Sequence, residues 1–256
     1  RMPTAANELV GVDLVGPLPS FQGNRYLLTI LDHFTKYGQA IPIPDMTAQT
    51  VADVLVHKHF LQFGVPKYIL SDQGGCFVSQ LSQDLYRRWG IRKLQTTAYH
   101  PGCNGIVERF HRTIEGIVAR ISKEGGRDWG RLLAKSVACY NNLVHKSTGY
   151  TPNFLTMGRE VQLPDFPQLD FHEFRKHRFW EEELRKARRI TIETLQRQWA
   201  ERNRRVNARR KLKELAIGQA VYLKRGQVPL DEVRKFSCQW IGPFFVQKKL
   251  SDVNYT

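Results

Sequence analysis

Three carboxylates are set against their surroundings. Asp13 interrupts the apolar run from Leu9 to Val15, and Asp72 follows Tyr68-Ile69-Leu70 and precedes Gln73-Gly74-Gly75. Glu108 lies beside apolar positions at helical spacing: Val107, Phe110, Ile114, Ile117 and Ile121. Singly, each has an ordinary explanation. Asp13 could be satisfied by a nearby arginine, Asp72 could bond its own backbone in a turn, and Glu108 could pair with Arg112 one helical turn on. Together they suggest chemistry. A carboxylate in a central strand is costly to bury without a partner or a metal. Three that converge repel one another and call for hard cations. Magnesium takes oxygen ligands and leaves positions for substrate phosphates. Two such ions about 3.5–4 Å apart can clamp the attacking and leaving oxygens of an in-line phosphoryl displacement. No Cys and His cluster competes as a softer site, and His57 and His59 read as helix-surface histidines. No Gly-rich phosphate loop and no serine elbow is present, so no nucleotide cofactor is expected.

The elements that must position these residues are legible from period and punctuation. Leu9–Val15, Tyr26–Leu31 and Gln39–Ile43 read as three strands in a meander; Pro42 makes the third an edge strand, because proline cannot donate to a ladder. Thr47 caps a helix that ends at Gly64-Val65-Pro66. A short strand, Tyr68–Ser71, follows, then a helix opened by Ser79 or Ser82 and stopped by Gly90, then a fifth strand, Ile91–Thr96. The loop 97–105 leads to helices at about 106–123 and 129–143. This order is that of the RNase H-like fold, an α/β core with a five-stranded mixed sheet. A helical crossover after strand three lets strand four pair in parallel beside strand one, which brings Asp72 toward Asp13.

The chain has 256 residues, of which 41% are hydrophobic and 25% charged, enough for a packed core. Lys and Arg exceed Asp and Glu by 39 to 24, a net charge of +15 that points to a polyanion, nucleic acid first and an anionic membrane second. No apolar run approaches the ~20 residues of a membrane span, so the chain is expected to be soluble, with no membrane-embedded partner. The chain begins on Arg1 and not on Met, which reads as a piece of something longer. The four cysteines, Cys76, Cys103, Cys139 and Cys238, match no zinc or disulfide spacing and read as reduced thiols of an intracellular protein.

Residues 1–157 are assigned to the core, 158–211 to a linker and long basic helix, and 212–256 to a small β-barrel cut short at Thr256. Leu184, Ala187, Thr191, Leu195, Trp199 and Val206 form a thin apolar stripe on that helix. Between Arg185 and Lys213 there are 12 basic residues against Glu193 and Glu201. Such a run is either a solvated face or a surface that lies along a polyanion. After Gly218 the pattern turns to strands: Ala220–Leu223, then Trp240, a turn at Gly242-Pro243, Phe244–Val246 and Val253–Tyr255.

The chain resembles the integrases of retroviruses and gypsy-type long-terminal-repeat retrotransposons. The resemblance rests on Val12-Asp13-Leu14-Val15-Gly16-Pro17-Leu18-Pro19, Phe63-Gly64-Val65-Pro66, Ser71-Asp72-Gln73-Gly74 with Phe77, and Thr97-Ala98-Tyr99-His100-Pro101. It continues through Gly105 with Glu108-Arg109, Trp129, Tyr140-Asn141 and Ser147-Thr148-Gly149-Tyr150-Thr151-Pro152, and resumes at Gly218–Leu223 and Trp240-Ile241-Gly242-Pro243-Phe244, which look like the family's C-terminal SH3-like barrel in 212–256. The 35 residues between Asp72 and Glu108 match the spacing of the D,D-35-E group. The chain departs from the pattern at Gln73, Ile106 and Asn7, and it starts past the point where the family's His-His-Cys-Cys zinc domain would lie, as expected of a piece of a longer protein.

The resemblance implies Asp13, Asp72 and Glu108 as catalytic ligands of two Mg2+ (or Mn2+). It implies a polynucleotidyl transferase with double-stranded DNA as its partner, in which water trims the 3′ ends of the element's DNA and the freed hydroxyls attack target DNA. It also implies a homo-multimer, dimer or tetramer, at work in the host nucleus within a pre-integration complex. Tyr99, His100, Asn104, Arg109, Arg112, Arg204, Arg205, Arg209, Arg210, Lys224 and Arg225 are the expected DNA contacts. The alternative is a domesticated descendant that binds DNA or protein without chemistry. A plain RNase H-like nuclease accounts less well for the basic helix and the barrel.

Overall fold

The computed structural model describes residues 2–95, 105–122, 128–161, 180–209, 215–224, 240–249 and 256. Strands β1 (Leu9–Val15), β2 (Tyr26–Asp32) and β3 (Gly38–Ile43) form an antiparallel meander. Strand β4 (Tyr68–Ser71) adds in parallel to β1, and β5 (Arg92–Gln95) adds in parallel to β4. The order β3-β2-β1-β4-β5 leaves β3 at an edge, where Pro42 removes no ladder bond from the interior. These directions and this order are those of the RNase H-like fold.

Helices cover both faces. Helix α1 (Ala48–Val54) starts where the Thr47 side chain accepts from the Thr50 N–H, and runs without a break through a π-helical stretch, Leu55–Phe60, into α2 (Leu61–Phe63). Periodicity alone does not predict the π stretch. His59, one turn on from Leu55 and two from Val51 on the buried face, points inward, where its ring nitrogens meet Gln39 Oε1 at 2.6 Å and Asn7 Oδ1 at 2.9 Å, so the surface reading of His59 is corrected. Helix α3 (Gly75–Val78) is a short turn before α4 (Gln80–Arg88), whose cap is Ser79. On this side Val10, Val12, Leu28, Ile30 and Ile69 pack with Val51, Leu55, Phe77 and Tyr86.

The alternate residues of β2, Leu27 and Leu31, face the other way. They meet Val107, Phe110 and Ile114 of α5 (Gly105–Ile121) and Trp129, Leu133 and Tyr140 of α6 (Trp129–Asn142). Helix α7 (Pro152–Met157) is capped by Thr151 and ended by Gly158 at φ 74°. Helix α8 (Trp180–Arg209) buries Leu184 and Ala187 against Phe154 and Leu155, and Thr191 and Leu195 are also buried. Trp199 departs from the predicted stripe: it is exposed.

Contacts divide the chain into two compact units, Arg1–Trp199 and Ala200–Thr256. In the second, β6 (Ala220–Lys224) pairs antiparallel with β7 (Trp240–Phe245), with a register shift between Val221 and Leu223. Gly242-Pro243 therefore lies within a strand and does not form the predicted turn. This two-stranded sheet is what the described residues hold of the expected barrel, and Val253–Tyr255 lie outside them. Cys76 and Cys139 are free thiols. Among the described residues no helix is long and apolar enough to cross a membrane.

Candidate active site

The sheet register gathers the two aspartates. Leu9, Val10 and Gly11 of β1 face Tyr68, Ile69 and Leu70 of β4. Carried two residues further along parallel strands, that register sets Asp72 beside Asp13. The third carboxylate arrives with α5. Gly11 has no side chain, and Val107 fills that space: a Cβ built on Gly11 would lie 2.6 Å from Val107 Cγ2 and 2.8 Å from His33 Nε2. This close approach seats α5 on β1 two residues from Asp13, and Glu108 is the next residue after Val107.

Each carboxylate has a protein partner. Asp13 Oδ1 accepts from the Leu14 N–H at 2.9 Å, and Asp13 Oδ2 lies 3.8 Å from His111 Nδ1. Asp72 Oδ1 accepts from the Gly74 N–H at 3.0 Å. Glu108 Oε2 lies 3.8 Å from Arg112 Nη2. The turn bond and the surface pair that explain Asp72 and Glu108 singly are thus both present.

Asp13 senses the other two. Burial pushes the Asp13 carboxyl up to about 6; the Leu14 N–H opposes the shift, and the negative charges of Asp72 and Glu108 add to it. They do not close into a ligand cage: among the described residues no three His, Cys, Asp or Glu side chains are grouped closely enough to hold a metal ion. The donor set itself is hard carboxylate oxygen, which suits magnesium or manganese and not a thiophilic metal. Fields that disfavour the charge on Asp13 are those a bound cation would relieve.

Two residues not singled out by sequence stand at this site. His111, one turn beyond Glu108, bonds Thr29 Oγ1 through Nε2, and Thr29 Oγ1 donates to the Asp13 carbonyl at 3.1 Å. Its i,i+3 spacing from Glu108 was the available signal. Lys93 of β5 donates to Ser71 Oγ, beneath Asp72; burial pushes its ammonium down to about 8, against the pull of the Asp72 charge. A lysine in a short parallel strand was the clue there.

Of the expected DNA contacts, Arg109 is exposed beside Glu108 and Arg112 is engaged with it. Arg204 and Arg205 are exposed on α8 and Arg205 pairs with Glu201. Arg209 lies in the last turn of α8 and Lys224 ends β6. Tyr99, His100, Asn104, Arg210 and Arg225 lie outside the described residues.

An RNase H-like core with carboxylates on the middle of β1, just past the end of β4 and at the start of α5 defines the class. Residues 3–101 match the family model described as "Integrase core domain". The chain is 34% identical over 163 residues to the "Retrovirus-related Pol polyprotein from transposon 412" of Drosophila melanogaster, which covers 63% of this chain and 13% of that polyprotein. It is 30% identical over 242 residues to the Gag-Pol polyprotein of feline leukemia virus, covering 92% of this chain and 13% of the polyprotein. The chain therefore spans a small fraction of the length of these relatives. Among solved structures, the catalytic core domain of BIV integrase matches at 22% identity and TM-score 0.48, over 59% of this chain and 94% of that one. This chain carries an integrase core of the retroviral and long-terminal-repeat retrotransposon kind.

Proposed function

We propose that the protein inserts retroelement DNA into target DNA by 3′-end processing and strand transfer, with Asp13, Asp72 and Glu108 as its catalytic carboxylates. The observation that carries this reading is the sheet register that runs Asp72 toward Asp13, together with the close seating of Val107 on Gly11 that brings in the helix carrying Glu108. It directs three carboxylates from three elements toward one place. Asp13, Asp72 and Glu108 would hold two Mg2+ or Mn2+ ions, which when bound supply Lewis-acid stabilisation to the attacked phosphodiester.

The chain's own groups do the positioning. Asp13 sits on a central strand paired on both sides, which fixes its place most firmly. Asp72 follows a strand buried along its whole length. Glu108, exposed on the first turn of α5, is the carboxylate best placed to adjust to a substrate. Arg109 and Arg112 flank it and offer charge to DNA phosphates. Tyr99, His100 and Asn104 are assigned to the DNA end. Arg204, Arg205, Arg209, Arg210, Lys224 and Arg225 are assigned to phosphates further out, on the linker helix (158–211) and an SH3-like C-terminal domain (212–256). Joining both ends of one element needs at least two active sites, so the working form is a homo-multimer, acting in the host nucleus.

The test is strand joining on a short DNA duplex in magnesium or manganese. Asp13→Asn, Asp72→Asn and Glu108→Gln should each abolish trimming and joining and leave DNA binding nearly intact. A variant that joins at near wild-type rate would remove its residue from the catalytic set. Intact binding with no joining by the wild type in either metal would favour the domesticated, binding-only reading.

A further inference from the structure

Lys93 is a half-buried cation beside the acidic site. It lies opposite Ile69 in the parallel register of β5 and β4. Its ammonium donates to Ser71 Oγ, and that hydroxyl, with no exposed surface, donates in turn to the Asp72 carbonyl at 2.7 Å. The nitrogen also lies 5.3 Å from the centre of the Phe77 ring and 5.8 Å from that of Tyr86, and both rings belong to the buried core. Ring faces stabilise a desolvated cation, and a hydrogen bond fixes its place. Ser71 and Asp72 are the points where β4 ends and the acidic site begins.

We propose that Lys93 is a positioning residue for Asp72. Its anchored ammonium holds the β4 terminus and offsets the mutual repulsion of Asp13, Asp72 and Glu108, so that it competes electrostatically with a bound divalent cation and sets how tightly that cation is held. It acts through its positive charge. The inference rests on the reading that the three carboxylates hold such cations.

Two opposite consequences follow from one fixed charge. Without metal, Lys93 steadies the fold by partly cancelling the carboxylates. With metal, it is a like charge screened by protein and not by water, where Coulomb interactions are several-fold stronger than in solvent. A residue that only filled space would produce the first effect and not the second.

The experiment is a manganese titration of the metal-stripped whole chain, near neutral pH, followed by the loss of the free Mn2+ electron paramagnetic resonance signal. Lys93→Met keeps the length of the side chain and removes its charge. It should bind manganese roughly five- to tenfold more tightly than wild type, and melt at a lower temperature without metal. Lys93→Arg, which keeps the charge, should restore wild-type affinity to within about twofold. Ser71→Ala, which frees the ammonium without new bulk, should shift affinity in the direction of Lys93→Met by a smaller factor, and decides the matter if Lys93→Met does not fold. Unchanged or weaker affinity in Lys93→Met, or in Ser71→Ala where that variant must decide, overturns the role of Lys93 while the metal site stands. Asp13→Asn separates the two claims: if wild type binds no manganese, or Asp13→Asn binds it as well as wild type does, the metal site is wrong and the inference falls with it.

Discussion

His111 Nδ1 lies 3.8 Å from Asp13 Oδ2, yet the histidine is no counter-ion to the aspartate. Thr29 Oγ1 uses its proton on the Asp13 carbonyl, so it accepts from His111 Nε2, and the Nδ1 lone pair faces Asp13. Burial pushes His111 down to about 4, which keeps the ring neutral where Asp13 ionises. The charge on Asp13 therefore has no cationic relief from its nearest ring.

His111 has company, and acid should expose it. Among the described residues, burial holds His33 at about 3 and His59, His111 and His145 at about 4. A folded value below the unfolded 6.5 means that the unfolded chain binds more protons, so this stability is full above about 6.5 and is lost as pH falls toward 4. Asp13 works in the opposite direction: raised from 3.8 to about 6, it disfavours the fold at neutral pH and relieves that penalty as pH falls through 6. The histidines are more numerous and begin to act first. Urea midpoints should drop between about pH 7 and pH 5.5. A midpoint that rises on acidification would show these rings to be solvated.

Gly11 should tolerate nothing larger. Gly11→Ala places a methyl 2.6 Å from Val107 Cγ2, and overpacking of this kind costs about 1–3 kcal/mol. Because α5 carries Glu108, activity should fall further than stability alone explains. Gly75→Ala, with nothing within 4 Å of the new methyl, is the control and should change stability by less than about 0.5 kcal/mol. Chemical denaturation of both variants checks this.

Much of this was legible in sequence because strong local signals agreed with tertiary demands. Leu9–Val15 was bounded correctly by its apolar run and Gly16-Pro17, and Pro42 correctly marked an edge. The crossover rule put strand four beside strand one, and with it Asp72 beside Asp13. What escaped depended on contacts between distant segments. His59 falls at helical spacing on the buried face of Val51 and Leu55, but a polar side chain there is legible as interior only once Gln39 and Asn7 are brought to it from distant segments. Lys93 reads as one more surface lysine until β5 is placed against β4. Gly242-Pro243 reads as a turn, but a register shift lets β7 run through it.

Asn141 offers a test of the face that carries α5. Its side chain accepts from the Gly38 N–H at 2.9 Å and donates to the Gly38 carbonyl at 2.8 Å, tying α6 to β3 in a buried environment. Asn141→Ala leaves two buried backbone groups unpaired at about 1–3 kcal/mol each, so a loss of about 2–6 kcal/mol is expected from thermal or urea unfolding. A loss under about 0.5 kcal/mol would mean that water replaces the amide.

The basic segment should reveal itself through salt. If Arg204, Arg205, Arg209 and Arg210 lie on phosphates, the logarithm of duplex affinity falls with that of salt by roughly 0.9 per phosphate neutralised. Replacing all four by Ala should flatten this slope and weaken every sequence about equally. An unchanged slope would return the segment to a solvated face.

The central claim is that Asp13, Asp72 and Glu108 share one cation-dependent site, and thermal melting of wild type and Asp13→Asn tests it without substrate. At about pH 7.5 the wild type carries the penalty of an ionised Asp13, and magnesium at about 10 mM should raise its melting temperature by binding the folded state alone. Asp13→Asn should melt higher than wild type in chelator and lose most of the magnesium-induced rise. A wild type with no magnesium shift, together with an Asp13→Asn protein that melts lower in chelator, would make Asp13 a structural carboxylate and contradict the account.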